Sequence, residues 1–172
     1  MGVETRYVVS LGSNLGDRAA LLRAAAEELL VAADGRIWAV SSIYQTRPVG
    51  YGDQDDFFNA VMVFDSALAP ARVLAAGQRV ERLLGRRRTI RWGPRTADID
   101  LIAAGERVVR TDDLTLPHPR AHQRAFVLVP WLEAQPDAVL PGRGPVAELA
   151  ARLDASGVRR RPDLGRLLVD EA

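Results

Sequence analysis

Asp98 and Asp100, separated by a single residue, are the side chains of this sequence with the clearest chemical potential. Residues 98–103 predict a strand, and residues two apart on a strand point to the same side with Cα atoms roughly 6.5–7 Å apart. Two carboxylates placed in this way can hold hard, oxygen-seeking cations such as magnesium, while Ile99 points into the core. Two such ions about 3.5–4 Å apart can clamp the oxygens of a phosphate during its transfer.

The alternative for this pair is a solvated strand face that carries two unrelated aspartates. Adjacent like charges destabilise a strand unless something cationic neutralises them, and an arginine-rich stretch, residues 85–95, ends just before Asp98. That neighbour favours metal binding.

The basic residues number 23, and every one is an arginine. Without lysine, a Walker-type phosphate loop and Schiff-base chemistry are excluded. Arginine forks grip oxyanions in pairs, so the stretch 85–95 can neutralise a polyphosphate, and Trp92 within it offers a stacking face for a planar ring. The alternative is a basic loop that only promotes solubility.

The composition narrows the other possibilities. A chain of 172 residues with 48% hydrophobic and 26% charged residues fits one domain. It has no cysteine and two histidines, which excludes disulfides and a three-histidine metal centre. No signal-peptide layout and no apolar run long enough for a bilayer are present, so we expect a cytoplasmic protein that binds no membrane. With a net charge of only +1, the protein as a whole does not produce the positive electrostatic potential that attracts nucleic acid.

Alternation along residues 57–65 predicts a strand with Phe57 and Asn59 on one face and a core row on the other that begins at Phe58. An aromatic ring beside an amide can bind a flat heterocycle by stacking and by hydrogen bonds to its edge. Core packing is an equally good interpretation of Phe57, but it fits Asn59 poorly. His118 could contact a phosphate, although a structural histidine is the more common case.

The predicted elements are strands over 7–11, 37–44, 57–65 and 98–103 and helices over about 17–33, 70–84, 126–133 and 146–153. Their order contains strand–helix–strand–strand–helix–strand, the split βαβ pattern of ferredoxin-like α+β folds. We therefore expect an antiparallel sheet with helices packed on one face and the other face open as a ligand platform. Residues after Ser156 are weakly patterned.

Four ordered motifs resemble the 6-hydroxymethyl-7,8-dihydropterin pyrophosphokinase family of folate biosynthesis. They are Ser10–Arg18, then Ser42–Thr46 followed by Asp56–Ala60, then Arg91–Leu101, and Leu114–Pro119. The resemblance covers roughly residues 5–153, and it implies a catalytic domain over 1–155 and a C-terminal tail over 156–172.

The resemblance also implies the reaction and the residues. The β,γ-pyrophosphoryl unit of ATP moves to the hydroxymethyl oxygen of the pterin, and AMP is released. Two magnesium ions are held by Asp98 and Asp100, and ATP is the co-substrate. The implied catalytic residues are Arg86, Arg95, Asp98 and Asp100. The implied nucleotide-site residues are Gln78, Glu81, Arg88, Arg91, Trp92, Leu101, Thr115, His118 and Arg124. The implied pterin-site residues are Thr46, Val49, Phe57, Asn59, Trp92 and Phe126.

Two other functions fit parts of the sequence. An RNA-binding ferredoxin-like module would use the basic stretch and exposed aromatic residues, but paired aspartates would repel phosphate without a metal. A metal-dependent nucleotidyl or other phosphoryl transferase usually has a Gly-Ser turn shortly before its aspartates, whereas Gly12-Ser13 lies far upstream here. We expect small-molecule substrates, no nucleic acid and a monomer.

Overall fold

The protein was studied as a computed structural model, which describes residues 2–47, 54–85 and 96–169. Its main sheet is antiparallel, and the strand order is β10 (Val158–Arg160), β3 (Tyr44–Thr46), β4 (Phe57–Ser66), β1 (Thr5–Ser13) and β5 (Asp98–Ala104). A further strand, β2 (Arg36–Val40), also pairs with β4. Two small hairpins complete the strands, β6 (Val109–Arg110) with β7 (Thr115–Leu116) and β8 (Val139–Leu140) with β9 (Gly144–Pro145).

One face of the sheet is covered by helices α1 (Arg18–Ala32) and α2 (Pro70–Leu83). The side chain of Asp17 caps α1 by accepting a hydrogen bond from the backbone N–H of Ala20, and Pro70 occupies the first turn of α2. The row that begins at Phe58 on β4 is buried against these helices, as its alternation predicted. The predicted ferredoxin-like α+β class is therefore confirmed.

The other face is not open along its whole length, which corrects the expectation that helices pack on one face only. Helices α3 (Ala125–Ala134) and α4 (Val146–Ala151) cover half of it with a second apolar cluster that includes Val61, Val63 and Ile102. The physical reason is that these outward positions on β4 and β5 are apolar and need a cover. Polar residues occupy the uncovered half.

A carboxylate on α3 ties that helix to the sheet. Glu133 accepts hydrogen bonds from the backbone N–H of Ser42 at 2.6 Å, from the Ser42 hydroxyl at 2.7 Å and from the Tyr44 hydroxyl at 3.2 Å. Burial, with Glu133 beside the ring, raises the pKa of Tyr44 to about 12, so its hydroxyl remains a donor at neutral pH. The end of α3 is thereby fixed against β3.

The single strand expected over 37–44 is two strands, β2 and β3, both paired with β4. The interruption falls where Ser41 uses its side chain as well as its backbone. Its hydroxyl accepts from the Val61 backbone N–H at 2.9 Å, while its own N–H donates to the Val61 carbonyl at 2.9 Å. A side chain that competes for ladder groups ends regular pairing.

The segment after Ser156, expected to be weakly patterned, adds β10 to the free side of β3. Leu167, further along this segment, is fully buried in the core beneath α1 and α2. Within the described ranges no helix combines the length and apolarity that a bilayer-spanning segment needs.

Candidate active site

Strand β1 lies between β4 and β5, and its pairing places three site residues in one row across the sheet. Gly12 is the partner of Asn59 on β4 and of Asp98 on β5. Because neighbouring strands are about 4.8 Å apart, the Cα atoms of Asn59 and Asp98 lie roughly 10 Å from each other. The amide and the carboxylate therefore face one shared surface, the half of the sheet that α3 and α4 leave uncovered.

Asp98 and Asp100 share that surface, as their spacing predicted. Both are partly exposed, while Ile99 between them is buried under α2. Asp100 is the cross-strand partner of Ser10 on β1, and its Oδ2 lies 3.5 Å from an Nη atom of Arg124. The guanidinium also lies over the ring of Phe126, 5.5 Å from the centroid. The start of α3 thus brings a cation and an aromatic ring to the edge of the acidic pair.

His118 stands beside the acidic pair and is held as a neutral ring. Its backbone N–H donates to the Ile102 carbonyl at 2.8 Å, and its Nδ1 accepts from the Arg120 backbone N–H at 3.2 Å. Burial, helped by the positive charges of Arg124 and Arg120, lowers the pKa of His118 to about 4. With Nδ1 acting as acceptor, the proton of the neutral ring is on Nε2, so the ring is a hydrogen-bond donor.

A cleft of about 270 Å³ runs along β5, an edge strand of the main sheet. Its walls combine apolar side chains from α2 and β5, such as Leu74 and Leu101, with polar groups from the β7 region, such as Thr115 and His118. Asp100 lies on its border. Asp112 and Asp113 also line the cleft. Its apolar side chains can hold the planar base of a nucleotide while the phosphates approach Asp98 and Asp100.

Two predicted nucleotide-site residues lie on α2 beside this cleft. Gln78 follows Leu74 by four positions, so both occupy one side of the helix. Glu81 is buried, and its carboxylate accepts from the Ile99 backbone N–H at 3.4 Å. Glu81 therefore fixes the start of β5, and with it the strand that carries both aspartates.

The predicted pterin residues form a second group on the same surface. Thr46 donates its hydroxyl hydrogen to Oδ1 of Asn59 at 2.5 Å, and Nδ2 of Asn59 faces the Leu11 carbonyl at 3.5 Å. Both side chains are buried. Phe57 lies two residues before Asn59 on β4, so both side chains are on the same face, and Phe57 is the cross-strand partner of Thr46 on β3.

Gly12 makes this group possible. A methyl group added at Gly12 would lie 2.8 Å from Nδ2 of Asn59 and 3.6 Å from Cδ1 of Phe57. In the sequence, Gly12 stands in a turn-forming segment that follows a strand, so turn formation is the simplest role for it. The sequence signal for more is the motif Gly12-Ser13-Asn14, but its meaning depends on cross-strand register, which one strand does not reveal.

The described chain brings together Asp98, Asp100, His118 and Arg124 around one point, and Thr46, Phe57 and Asn59 around another. Leu101 and Thr115 line the cleft, Gln78 and Glu81 lie on α2, and Phe126 lies beside Arg124. Six expected residues lie outside the described ranges: Val49, Arg86, Arg88, Arg91, Trp92 and Arg95. Asn14 was missed by sequence reasoning; it is buried and donates to Oε1 of Gln54 at 2.6 Å, which places the approach to β4.

Comparison with known proteins identifies the family of this chain. The family model described as 7,8-dihydro-6-hydroxymethylpterin-pyrophosphokinase matches residues 8–136. A protein of Methylorubrum extorquens named 2-amino-4-hydroxy-6-hydroxymethyldihydropteridine pyrophosphokinase is 45% identical over 156 residues, which is 91% of this chain and 98% of that protein. A protein of the same name from Mycobacterium bovis is 47% identical over 163 residues, covering 87% and 85% of the two chains.

Solved structures agree at the level of fold. The crystal structure of Plasmodium falciparum HPPK-DHPS with pterin and p-hydroxybenzoate superposes with a TM-score of 0.69 at 15% identity. The match covers 88% of this chain but 42% of that one, so this chain spans less than half of the Plasmodium chain.

The family model and these relatives identify the protein as an ATP-dependent diphosphotransferase, an enzyme that transfers a pyrophosphoryl group. The chain belongs to the 7,8-dihydro-6-hydroxymethylpterin-pyrophosphokinase family.

Proposed function

We propose that this chain transfers the β,γ-pyrophosphoryl group of ATP to the hydroxymethyl oxygen of 6-hydroxymethyl-7,8-dihydropterin and releases AMP. The observation that carries the proposal is the row Asn59–Gly12–Asp98. The Cα atoms of Asn59, whose buried amide suits a flat heterocycle, and of Asp98, whose carboxylate suits metal-bound phosphates, lie roughly 10 Å apart in this row. A hydroxymethyl group on the heterocycle spans part of that gap, and the phosphate chain spans the rest.

Magnesium fits the acidic pair by the chemistry of its donors. Asp98 and Asp100 present two carboxylates on one face, and no group of three or more His, Cys, Asp or Glu side chains suited to a metal occurs among the described residues. Magnesium is typically bound by one or two carboxylates together with substrate phosphates and water, rather than by a cage made of protein alone. When bound there, the ions neutralise the phosphate oxygens and orient them for transfer.

Residues around the acidic pair have distinct roles in this proposal. His118, a neutral donor at Nε2, binds a phosphate or ribose oxygen without competing for the metal. Arg124, with an Nη atom 3.5 Å from Oδ2 of Asp100, would pair with a phosphate oxygen of the nucleotide. Leu101 and Thr115 line the nucleotide cleft, and Gln78 and Glu81 act from α2, the helix that carries Leu74. Further positive charge comes from Arg86, Arg88, Arg91 and Arg95, and Trp92 supplies a stacking face.

On the pterin side, Asn59 and Thr46 form a hydrogen-bonded pair whose remaining polar capacity meets the edge of the heterocycle. Phe57 and Phe126, with Trp92 and Val49, enclose its faces. The Leu11 carbonyl, which can only accept, fixes the Asn59 amide with Nδ2 toward it, and the Thr46 hydroxyl donates to Oδ1 in that orientation. A fixed amide discriminates between ring edges by their pattern of donors and acceptors.

We propose that no side chain acts as a strong general base. Both aspartates are assigned to the metal, and Nδ1 of His118 is already used by the Arg120 backbone. Catalysis then depends on bringing the alcohol oxygen and the β-phosphorus into contact and on neutralising charge.

The decisive experiment incubates the protein with ATP, magnesium and 6-hydroxymethyl-7,8-dihydropterin and identifies the products. We expect AMP and the pterin diphosphate in equal amounts. Formation of ADP, or of pyrophosphate with an AMP adduct, would refute the proposal and indicate an ordinary kinase or a nucleotidyltransferase.

A variant pair tests the acidic site in the same assay. Asp98→Ala and Asp100→Ala should each lower turnover by about a thousandfold, because metal stabilisation of transferred charge is worth several kcal/mol. Asp137→Ala is the matched control, since Asp137 is an exposed acid that lies outside the site. Near-normal turnover in either active-site variant at ordinary magnesium concentration would refute the metal assignment.

We also propose that the enzyme acts in the cytoplasm as a monomer on small-molecule substrates. We propose, further, that the catalytic domain expected over 1–155 needs the segment 156–172 for its complete sheet, because β10 belongs to that sheet.

A further inference from the structure

We propose that Arg161, in the C-terminal segment, is a positioning residue for the pterin half of the site, and this inference rests on the function proposed above. Its side chain acts from the opposite face of the sheet, through Gln45 and Asp56. None of these three residues faces the pterin surface itself.

The first step is the strand that carries Thr46. β3 has three residues, and with β4 alone it would be the edge of the sheet, where short strands are weakly held. β10 gives it a second partner, with Val158 opposite Thr46 and Arg160 opposite Tyr44. Thr46 is therefore held from both sides.

The second step is a chain of side-chain hydrogen bonds that closes the open end of the β3–β4 pair. An Nη atom of Arg161 donates to Oε1 of Gln45 at 2.8 Å, and Nε2 of Gln45 donates to Oδ2 of Asp56 at 3.0 Å. Gln45 precedes Thr46 and Asp56 precedes Phe57, and Thr46 and Phe57 are themselves cross-strand partners. The bond between Gln45 and Asp56 therefore holds the register at the point where both pterin residues lie.

The third step is the orientation of this chain. Gln45 pairs with Phe58, so it lies on the face of the sheet opposite Thr46 and Asn59. The guanidinium groups of Arg161 and Arg18 lie over the Phe58 ring, 5.4 Å and 4.0 Å from its centroid. Arg18 also donates to the Asp56 carbonyl at 2.7 Å. The network thus supports the floor of the pterin surface from behind.

The segment that carries Arg161 is itself well anchored. The Arg161 backbone N–H donates to the Ile43 carbonyl at 2.9 Å, and the Leu167 backbone N–H donates to the Ser41 carbonyl at 2.9 Å. Arg161 also forms a bidentate pair with Asp163, with distances of 2.9 Å and 2.7 Å. This pair fixes the plane of the Arg161 guanidinium, which leaves one Nη atom directed toward Gln45.

The experiment uses the full chain and three variants. Arg161→Met keeps the length of the side chain and removes every donor. Gln45→Met breaks the same chain of hydrogen bonds at its centre. Arg161→Lys restores one donor. The matched control is Arg159→Met, because Arg159 is an exposed arginine on β10, two residues before Arg161.

For Arg161→Met and Gln45→Met we expect the KM for the pterin to rise roughly three- to tenfold, the effect of losing one hydrogen bond to a charged or amide group at a partly exposed site. The KM for ATP and kcat should stay within about twofold, because the nucleotide cleft lies at the other edge of the sheet. Arg161→Lys should recover part of the loss, and Arg159→Met should match the parent protein.

An unchanged KM for the pterin in both methionine variants would overturn the inference. An equal rise in the KM for both substrates would also overturn it, because a merely structural role predicts that result. If the parent protein forms no pterin diphosphate, the proposed function fails and the inference fails with it. If the parent protein is active and the variants match it, the inference alone fails.

Discussion

The substitution Gly12→Ala tests the geometry of the site most directly. The new methyl carbon would lie 2.8 Å from Nδ2 of Asn59, whereas ordinary contacts begin at 3.4 Å, so the amide must move by about 0.6 Å. Asn59 is buried and bonded to Thr46, which leaves it little room. We expect a loss of about 1–3 kcal/mol in the free energy of unfolding, as is usual for overpacking.

The same displacement should weaken pterin binding by about tenfold or more, because one hydrogen bond to the heterocycle is lost or lengthened. ATP binding should change little, since the three atoms nearest to the added methyl belong to Asn59 and Phe57 and none belongs to Asp98. The assay is calorimetric titration of each substrate, the pterin in the presence of a non-hydrolysable ATP analogue, together with urea unfolding.

Gly157→Ala is the matched control, because a methyl group at Gly157 meets nothing within 4 Å. The reasoning would be refuted if Gly12→Ala bound the pterin as the parent protein does, or if its defect were shared equally by ATP.

The nearly isosteric substitution Thr46→Val leaves Oδ1 of Asn59 buried without its hydroxyl donor, so it should raise the KM for the pterin and lower the free energy of unfolding by about 1–3 kcal/mol. Steady-state kinetics and urea unfolding measure the two effects. If neither quantity changed, the assigned hydrogen bond between Thr46 and Asn59 would be contradicted. Asp98→Ala and Asp100→Ala should each lower turnover by about a thousandfold in the product assay described above, while Asp137→Ala should leave it unchanged. His118 should make stability depend on pH: its pKa is lowered from 6.5 to about 4, so the stability linked to its neutral form is complete above pH 6.5 and is lost as the pH falls toward 4. After allowance for its partial exposure, the parent protein should lose about 1–2 kcal/mol more than His118→Asn between pH 7 and pH 4.5, and equal losses in urea unfolding would contradict this.

Local patterns in the sequence were sufficient for the elements that carry the site. Alternation identified the two faces of β4, with Asn59 opposite the row of Phe58, and the spacing of Asp98 and Asp100 placed them on one face of β5. Helices α1 and α2 followed from capping and spacing, because these signals lie within a few residues of one another.

The features that sequence reasoning missed depend on contacts between distant segments. The part of Gly12 in the site follows from its register with two strands that begin 45 and 86 residues later, as the numbering shows. The cover over half of the second face comes from α3 and α4, whose short apolar patterns do not state which face they meet. The pairing of β10 with β3 was hidden because three residues rich in arginine give little strand signal.

Glu133 attaches α3 to β3 and so connects the two regions that we propose bind the substrates. Helix α3 begins beside Arg124 and Phe126 at the phosphate end and finishes at a carboxylate that is attached three times to the start of β3. Because both regions are attached to the same helix, we expect them to unfold together on heating. We therefore expect that thermal unfolding populates no intermediate that still binds nucleotide but no longer binds the pterin.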